Sequence, residues 1–266
     1  MPSHKLIKRV KSRYKKPAEE HEDPNRMKLK FLGTRGYIQS WNRNHRLHSS
    51  CRVSYKDRSV TIDCGEDWLD RLEEMNPRVL LVTHAHPDHA GGLARGAPCP
   101  VYATAETWES IHDYDIREKK TVKPAQPLKL QSMTFQAFPM EHSKRAPAVG
   151  YKITAGRMSI FYAPDVVYVK DRKKAFSGIR LYVGDGATLQ KSMVRKSGDN
   201  LVGHAPVQTQ LTWCQKEGVS RAVFTHCGTD IVNGNETLAR TRLKQMAEER
   251  GVKAELARDG MEITLR

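Results

Sequence analysis

The sequence predicts an α/β protein of four layers (α+β), in which two β-sheets pack face to face between outer helices. Its 266 residues are 38% hydrophobic, which is enough to build the core of one large domain or two small ones. Short segments with strand character outnumber helical segments along the chain. Strands and helices do not alternate strictly, so a single parallel sheet is not expected.

Structure is expected to begin near Met27, with residues 1–26 forming a flexible arm and residues 27–266 forming the folded domain. The first 16 residues contain seven lysines and arginines and no acidic residue. A Pro- and Glu-rich stretch without periodicity follows them, which is typical of a mobile segment.

Strands of the first half are predicted where polar and apolar residues alternate, or where a short apolar run lies between turn residues. They cover residues 28–32, 51–55, 59–63 and 79–83. A helix is predicted over residues 67–75, ended by Pro77. A loop over residues 84–89 then leads into a helix near residues 90–93.

The second half continues with short strands and two longer helices. The predicted strands are 133–138, 149–154, 158–162, 181–183 and 222–225. The helices cover residues 206–217 and 236–250, each ended by a glycine. The last two strands, 254–257 and 261–265, are expected to pair as a hairpin through an Asp-Gly turn. Residues 106–126 are expected to form a lid or insertion.

The chain is strongly basic, with 45 Lys and Arg against 30 Asp and Glu and a net charge of +15. The first 16 residues supply +7 and the remaining 250 supply +8. This excess favours polyanionic substrates or partners, including nucleic acid contacted by the basic arm. A solvated basic surface is the alternative interpretation.

Several classes of protein are excluded by simpler features. No apolar run approaches the roughly 18 residues of a membrane span, and the N-terminus has no signal-peptide pattern, so we expect a cytoplasmic protein without membrane attachment. The five cysteines contain no C-x-x-C pair, which argues against a disulfide framework.

The segment Thr83-His84-Ala85-His86-Pro87-Asp88-His89 places three imidazoles and a carboxylate within six residues, directly after an apolar strand. Such ligands suit Zn²⁺, and also Fe²⁺ or Mn²⁺. His84 and His86 can share one metal, whereas Asp88 and His89 can turn to a second. Burying four such groups together would be costly without a shared partner.

The pattern H-x-H-x-D-H after an apolar strand resembles the metallo-β-lactamase superfamily, an αβ/βα sandwich with metals at the edges of its sheets. Further motifs occur in the expected order, so the resemblance covers about residues 27–266. It implies two divalent metal ions, with Zn²⁺ expected first and Mn²⁺ or Fe²⁺ as alternatives. The implied metal ligands are His84, His86, Asp88, His89, His142, Asp165 and His226.

The resemblance also implies supporting residues. Asp63, in Thr61-Ile62-Asp63-Cys64-Gly65, resembles an aspartate that orients the site without binding metal. Asp165 resembles the aspartate that bridges both metals. Asp185 also follows an apolar strand, so it is the alternative bridge; otherwise it supports the ligands or forms a turn.

Two more stretches resemble the branch that contains ribonuclease Z and the cyclic-phosphate phosphodiesterases. These are Phe31-Leu32-Gly33-Thr34-Arg35-Gly36 and Gly203-His204-Ala205-Pro206. The resemblance implies that His204 contacts the phosphate and protonates the leaving oxygen. Arg35 stands where the branch tends to have glycine, and no long Gly/Pro-rich insertion is present. A smaller phosphodiester is therefore a better fit than tRNA. Arg35, Lys144 and Arg145 are candidates to bind phosphate oxygens.

The sequence therefore predicts a dinuclear metal-dependent hydrolase, most simply a phosphodiesterase or nuclease acting on a nucleotide, a cyclic phosphate or nucleic acid. A metal-bridging hydroxide is the expected nucleophile, with Asp88 and His204 as catalytic residues. Ester, thioester or lactone hydrolysis in the same fold is the alternative, and single-iron thiol oxygenases share the H-x-H-x-D-H motif. A nucleic-acid-binding protein with an inactive metal site is a further alternative. The oligomeric state, including a homodimer, stays open.

Overall fold

The computed structural model describes residues 25–265, so the arm predicted over residues 1–26 falls almost wholly outside the described residues. The strands are β1 (Met27–Gly33), β2 (Ser50–Tyr55), β3 (Arg58–Ile62), β4 (Leu80–Leu81), β5 (Val101–Ala103), β6 (Lys119–Thr121), β7 (Pro127–Leu130), β8 (Met133–Glu141), β9 (Ala148–Ala155), β10 (Met158–Tyr162), β11 (Tyr168–Val169), β12 (Leu181–Asp185), β13 (Arg195–Ser197), β14 (Asn200–Val202), β15 (Arg221–Thr225), β16 (Lys253–Leu256) and β17 (Glu262–Leu265). The helices are α1 (Leu72–Met75), α2 (Pro87–Ala90), α3 (Ala105–Ser110), α4 (Arg172–Phe176), α5 (Val207–Lys216), α6 (Thr229–Val232) and α7 (Glu236–Glu248).

The strands form two large sheets and one small hairpin. The first sheet has the order β17-β1-β2-β3-β4-β5-β6. The second has the order β11-β8-β9-β10-β12-β15-β16, with β7 also paired to β8. Strands β3 to β6 are parallel, as are β10, β12, β15 and β16. Parallel strands bring their carboxyl ends to one edge of a sheet, which is where the candidate site lies.

The main core lies between the two sheets. In β1 the buried and less buried positions alternate, as expected for a strand with one face in the core, and Leu29 and Phe31 are fully buried. The second sheet contributes Tyr151, Ile160 and Tyr162 to the same cluster. These side chains hold the sheets face to face.

Helices cover the outer faces of both sheets. Leu211 of α5 and Leu243 of α7 pack in one cluster with Phe224 of the second sheet. Trp68 and Leu93 pack in another cluster beside Val101 of the first sheet. The predicted four-layer arrangement, helix–sheet–sheet–helix, is therefore confirmed.

The predicted terminal hairpin is wrong. β16 pairs in parallel with β15 in the second sheet, whereas β17 pairs antiparallel with β1 in the first. The turn between them crosses from one sheet to the other, and Asp259 within this turn is bound to a distant loop. Its carboxylate accepts hydrogen bonds from Thr34 Oγ1 and from the Arg46 amide, both at 2.7 Å.

Two further predictions change in detail. The helix predicted over residues 67–75 is split into a short 3₁₀ turn, Glu66–Trp68, and α1, because Asp70 between them has a left-handed backbone (φ 65°). Residues 106–126 form most of α3 and the edge strand β6 and do not line the cavity of the site, so they are not a lid over it.

All five cysteines are free thiols, in agreement with the expected lack of a disulfide framework. Within residues 25–265 no helix has both the length and the apolar character needed to cross a bilayer.

Candidate metal centre

The candidate site lies where strands of both sheets end. Asp63 follows β3, His84 comes three residues after β4, and His142 follows β8. β3 and β4 belong to the first sheet and β8 to the second, where Asp165 also follows β10, Asp185 ends β12 and His226 follows β15. Residues far apart in the chain therefore meet because the strand ends of the two packed sheets lie close together at this point.

Helix α2 carries two of the predicted ligands. His86 precedes it, Pro87 occupies its first turn, and Asp88 and His89 lie within it. It packs so closely on the end of β3 that a Cβ on Gly65 would lie 2.3 Å from the Asp88 carbonyl oxygen. Glycine at position 65 is thus required for this helix to approach the site.

The first group of ligand atoms consists of three imidazole nitrogens and one carboxylate oxygen: His84 Nε2, His86 Nδ1, His142 Nε2 and Asp165 Oδ2. His86 Nδ1 lies 3.0 Å from His84 Nε2 and 3.1 Å from His142 Nε2. Asp165 Oδ2 lies 3.4 and 3.2 Å from the same two nitrogens. Four lone-pair donors this close together are suited to coordinate one ion.

The second group consists of Asp88, His89, His226 and, again, Asp165. Asp88 Oδ2 lies 2.9 Å from His226 Nε2 and 3.3 Å from His89 Nε2. Asp165 Oδ2 lies 3.4 Å from His89 Nε2, and Asp165 Oδ1 lies 3.0 Å from His226 Nδ1. The Asp165 carboxylate therefore belongs to both groups.

Hydrogen bonds at Nδ1, on the side of the ring that faces away from the site, set the orientation of three of these imidazoles. His89 Nδ1 donates to Asp63 Oδ2 at 2.9 Å, and His142 Nδ1 donates to the Gly203 carbonyl at 3.0 Å. His84 Nδ1 lies 3.0 Å from Thr83 Oγ1, which itself donates to Asp63. Each of these rings therefore uses Nδ1 for a hydrogen bond within the protein and directs Nε2 into the site.

The chemistry of the donor set fits a metal ion. His89 Nε2 is buried and makes no hydrogen bond, although oxygens of Asp88 and Asp165 lie 3.3 and 3.4 Å away. Asp63, Asp88, Asp165 and Asp185 are all at most 2% exposed. Four carboxylates buried in one place need positive charge close by, which divalent cations would supply.

The electrostatics of the two groups differ. Burial lowers the pKa of all three imidazoles of the first group, that of His86 to about 4, so they are neutral near pH 7 and able to bind metal. In the second group burial also disfavours charge, but the carboxylates of Asp165 and Asp88 outweigh it and raise the pKa of His89 and His226. Burial likewise opposes the ionisation of Asp88 and Asp165, yet the surrounding imidazoles hold the pKa of both carboxyls well below its usual value.

Asp185, the alternative bridge, lies beside the second group, with its Oδ1 3.6 Å from His226 Nδ1, but its shorter contacts are made with other residues. Its Oδ2 lies 2.8 Å from His204 Nδ1 and accepts from the Val166 amide at 3.0 Å, while its Oδ1 accepts from the Ala187 amide at 2.9 Å. Asp165 thus lies between the two groups, and Asp185 lies behind His204.

His204 lines the cavity and its side chain is 18% exposed. Burial alone would lower its pKa, but the neighbouring Asp185 carboxylate outweighs burial and raises it. With Nδ1 bound to Asp185, Nε2 is the nitrogen left for a ligand in the cavity.

The three basic residues expected to bind phosphate do not line the cavity. Arg35 is 6% exposed, and its donors are used within the protein: Nη2 contacts Asp67 Oδ2 at 2.6 Å, Nε donates to the Arg46 carbonyl at 3.1 Å and Nη1 donates to the Ile38 carbonyl. Its expected role in substrate binding is corrected: Arg35 anchors the loop over residues 36–48. Lys144 and Arg145 are exposed in the loop after His142.

The cavity has a volume of about 440 Å³ and includes residues that the sequence analysis missed. Tyr37, Lys191 and Met193 line it. Tyr37 is 63% exposed and Met193 is 45% exposed. No sequence pattern marks these residues.

Comparison with known proteins identifies the family. Residues 58–227 match the profile of a beta-lactamase superfamily domain, which is well over half of the chain. The protein therefore belongs to the metallo-β-lactamase fold superfamily, as its sequence motifs predicted.

Individual relatives are more distant. The UPF0173 metal-dependent hydrolase TV0864 of Thermoplasma volcanium is 29% identical over 110 residues, which cover 38% of this chain and 48% of that protein. The match thus spans about half the length of this curated relative. The fold is similar to that of a diphosphatase from the PhnP family, with a TM-score of 0.68, 19% identity and coverage of 91% of this chain and 98% of the other. It is also similar to the short form of human tRNase Z, with a TM-score of 0.57, 20% identity and coverage of 89% and 98%.

Proposed function

We propose that the protein is a hydrolase that uses two divalent metal ions to cleave phosphodiesters. The observation that carries the proposal is the Asp165 carboxylate, which lies within 3.4 Å of imidazole nitrogens of both ligand groups. A carboxylate shared in this way is the arrangement needed to hold two metals side by side. Zn²⁺ suits these ligands best, with Mn²⁺ and Fe²⁺ as alternatives.

The residues of the site have three roles: they hold the metal ions, orient the water and donate a proton. His84, His86 and His142 would hold one ion, Asp88, His89 and His226 the other, and Asp165 both. When bound, the cations would supply Lewis acidity, which would make water a nucleophile near neutral pH and attract the phosphate oxygens. Asp88 and Asp165 accept hydrogen bonds from the attacking water and orient it. His204, held by Asp185, donates a proton from Nε2 to the departing alkoxide.

Phosphodiesters are favoured over neutral esters by the charge of the protein and by His204. A net charge of +15 attracts an anionic substrate and gives no advantage with a neutral lactone or thioester. An imidazole beside the cavity whose pKa is raised by the Asp185 carboxylate is suited to protonate an alkoxide leaving group. The names of two structures with this fold, a diphosphatase and a tRNase Z, refer to phosphate chemistry and support the same substrate class.

The first experiment is hydrolysis of bis(p-nitrophenyl) phosphate by protein loaded with Zn²⁺ or Mn²⁺, with a lactone and a thioester tested in parallel. We expect metal-dependent release of p-nitrophenol that is lost in His86→Ala. The exposed His112→Ala is the matched control and should retain full activity. Turnover of the lactone or thioester without turnover of the diester would overturn the proposed substrate class. No turnover of any of these by metal-loaded protein would favour a binding protein.

A further inference from the structure

A second groove opens from the cavity of the candidate metal centre. It has a volume of about 580 Å³ and extends towards α7. Lys191, Thr229 and Asp230 line both the cavity and the groove, so the two spaces adjoin at these residues. A substrate bound at the metal ligands can therefore extend past Lys191 without leaving the protein surface.

The lining of this groove is part polar and part apolar and contains two cations. Lys191 lies at its junction with the cavity, whereas Arg242 lines the groove but not the cavity. Both side chains are exposed, and neither forms an ion pair with any residue between positions 25 and 265. Arg242 lies four residues after Leu238 on α7, so both belong to the face of the helix that lines the groove.

The backbone at Lys191 is held firmly. Its carbonyl accepts a hydrogen bond from Thr188 Oγ1 at 2.9 Å. The Thr188 carbonyl in turn accepts from the Val207 amide at 2.9 Å, at the start of α5. The backbone of Lys191 is therefore held in place, and its charged side chain lines the same cavity as His204.

One carboxylate, that of Asp230, opposes this positive charge. It lines the same junction, and its Oδ2 lies 3.5 Å from Thr188 Oγ1. Among the described residues, no other acidic side chain lines the groove. A bound anion would be attracted by Lys191 and Arg242 and repelled by Asp230. Neutralising either cation should therefore weaken anion binding, and neutralising Asp230 should strengthen it.

We propose that this groove is a subsite for a second phosphate group of the substrate, contacted by Lys191. The inference rests on the proposed function, because it takes the scissile phosphodiester to lie at the metal ligands. The substrates that fit are those with a further phosphate beside the diester that is cleaved. An oligonucleotide has this chemistry, since every nucleotide adds a phosphate, and so does a small diester with a terminal phosphate.

The test compares a thymidine dinucleotide with and without a terminal phosphate, each hydrolysed by metal-loaded full-length protein. We expect the terminal phosphate to raise kcat/KM by roughly tenfold, the effect of one charge-assisted hydrogen bond in a partly exposed site. This ratio should fall towards one in Lys191→Gln and rise in Asp230→Asn. It should also fall as salt concentration rises. Lys253→Gln is the matched control, because Lys253 is an exposed lysine on β16, paired with the amino end of β15 and away from the groove.

The outcomes are separable. A ratio near one in the wild type, with hydrolysis of bis(p-nitrophenyl) phosphate intact, would overturn the second subsite and leave the proposed function standing. If the metal-loaded wild type hydrolysed none of the diesters, the proposed function itself would be refuted. An advantage that increases from dinucleotide to hexanucleotide identifies nucleic acid as the source of the second phosphate. An advantage confined to the single terminal phosphate identifies a small diester.

Discussion

The imidazole Nδ1 of His89 lies 2.9 Å from Oδ2 of Asp63, and neither side chain is exposed to solvent. Asp63 is at the end of one strand and His89 is on the helix packed against it. The same carboxylate accepts from the Thr83 amide at 2.8 Å and from the Thr83 hydroxyl. Burial raises the pKa of Asp63, while His89 and the Thr83 hydrogen bonds oppose the rise. Asp63 thus connects the segment before His84 with a ligand of the second group.

Asp63→Asn should weaken metal binding without unfolding the protein. The amide that replaces the carboxylate can accept fewer hydrogen bonds, so the His89 ring loses its fixed tautomer and orientation. Asparagine is also tolerated at the left-handed backbone of position 63 (φ 62°). We expect metal affinity to fall by about 10- to 100-fold, measured by competition with a chromophoric chelator. Thr83→Ser, which keeps the hydroxyl, is the control; equal losses in both variants would contradict the role of the Asp63 charge.

The number of bound ions should depend on Asp165 more than on any single histidine. His86→Ala removes a ligand from the first group alone, so the metal content after dialysis should fall from two ions to about one. Asp165→Asn weakens both groups and should lower it further. Mass-spectrometric metal analysis measures this directly. Retention of both ions by Asp165→Asn would refute the shared carboxylate.

The role of His204 should depend on the leaving group. An alkoxide leaving from a nucleotide needs a proton, whereas p-nitrophenolate does not. His204→Gln should therefore lower kcat on a dinucleotide by about 10²–10⁴-fold and affect bis(p-nitrophenyl) phosphate much less. Asp185→Asn should have a smaller effect in the same direction, because it removes the partner of His204 Nδ1. Equal losses on both substrates would show that His204 is not the proton donor.

Arg35 should matter for stability and not for substrate affinity. Its guanidinium is buried against Asp67. Burial would raise the pKa of the Asp67 carboxyl, but hydrogen bonds from His48 and the charge of Arg35 outweigh burial and hold this pKa at about 2. Asp67→Asn leaves the buried guanidinium without its counter-charge and should cost about 2 kcal/mol of unfolding free energy. Urea denaturation measures the loss. A changed KM for diesters with unchanged stability would instead support direct substrate binding by Arg35.

His45 should make the protein less stable in mild acid. It is fully buried beside Thr34, and burial lowers its pKa to about 4, against the attraction of Glu236. Because the unfolded chain binds this proton near pH 6.5 and the folded chain does not, the stability is complete above pH 6.5 and is lost as the pH falls towards 4. The loss between pH 7.5 and 5 should be about 2 kcal/mol. His45→Gln should lack this part of the pH dependence in urea titrations, whereas the exposed His112→Gln should keep it.

Local sequence patterns determined much of this protein. The segment from Thr83 to His89 predicted a metal site because ligands so close in sequence must also be close in space. Strand periodicity and glycine-ended helices predicted the elements and the four layers, since both depend on neighbours within a few residues. The order of the motifs predicted the superfamily, which the match over residues 58–227 confirms.

Other features were decided only by tertiary structure. The position of Asp165 between the two ligand groups, and of Asp185 behind His204, depends on which strand ends meet across two sheets. Arg35 is basic and close to a motif, yet its guanidinium is buried because Asp67, 32 residues away, lies against it. The two terminal strands pair with different sheets, β16 with β15 and β17 with β1, and Asp259 in the turn between them bonds to Thr34, 225 residues earlier. Long-range contacts of this kind leave no periodic trace in the sequence, so they become visible only when the packed chain brings the partners together.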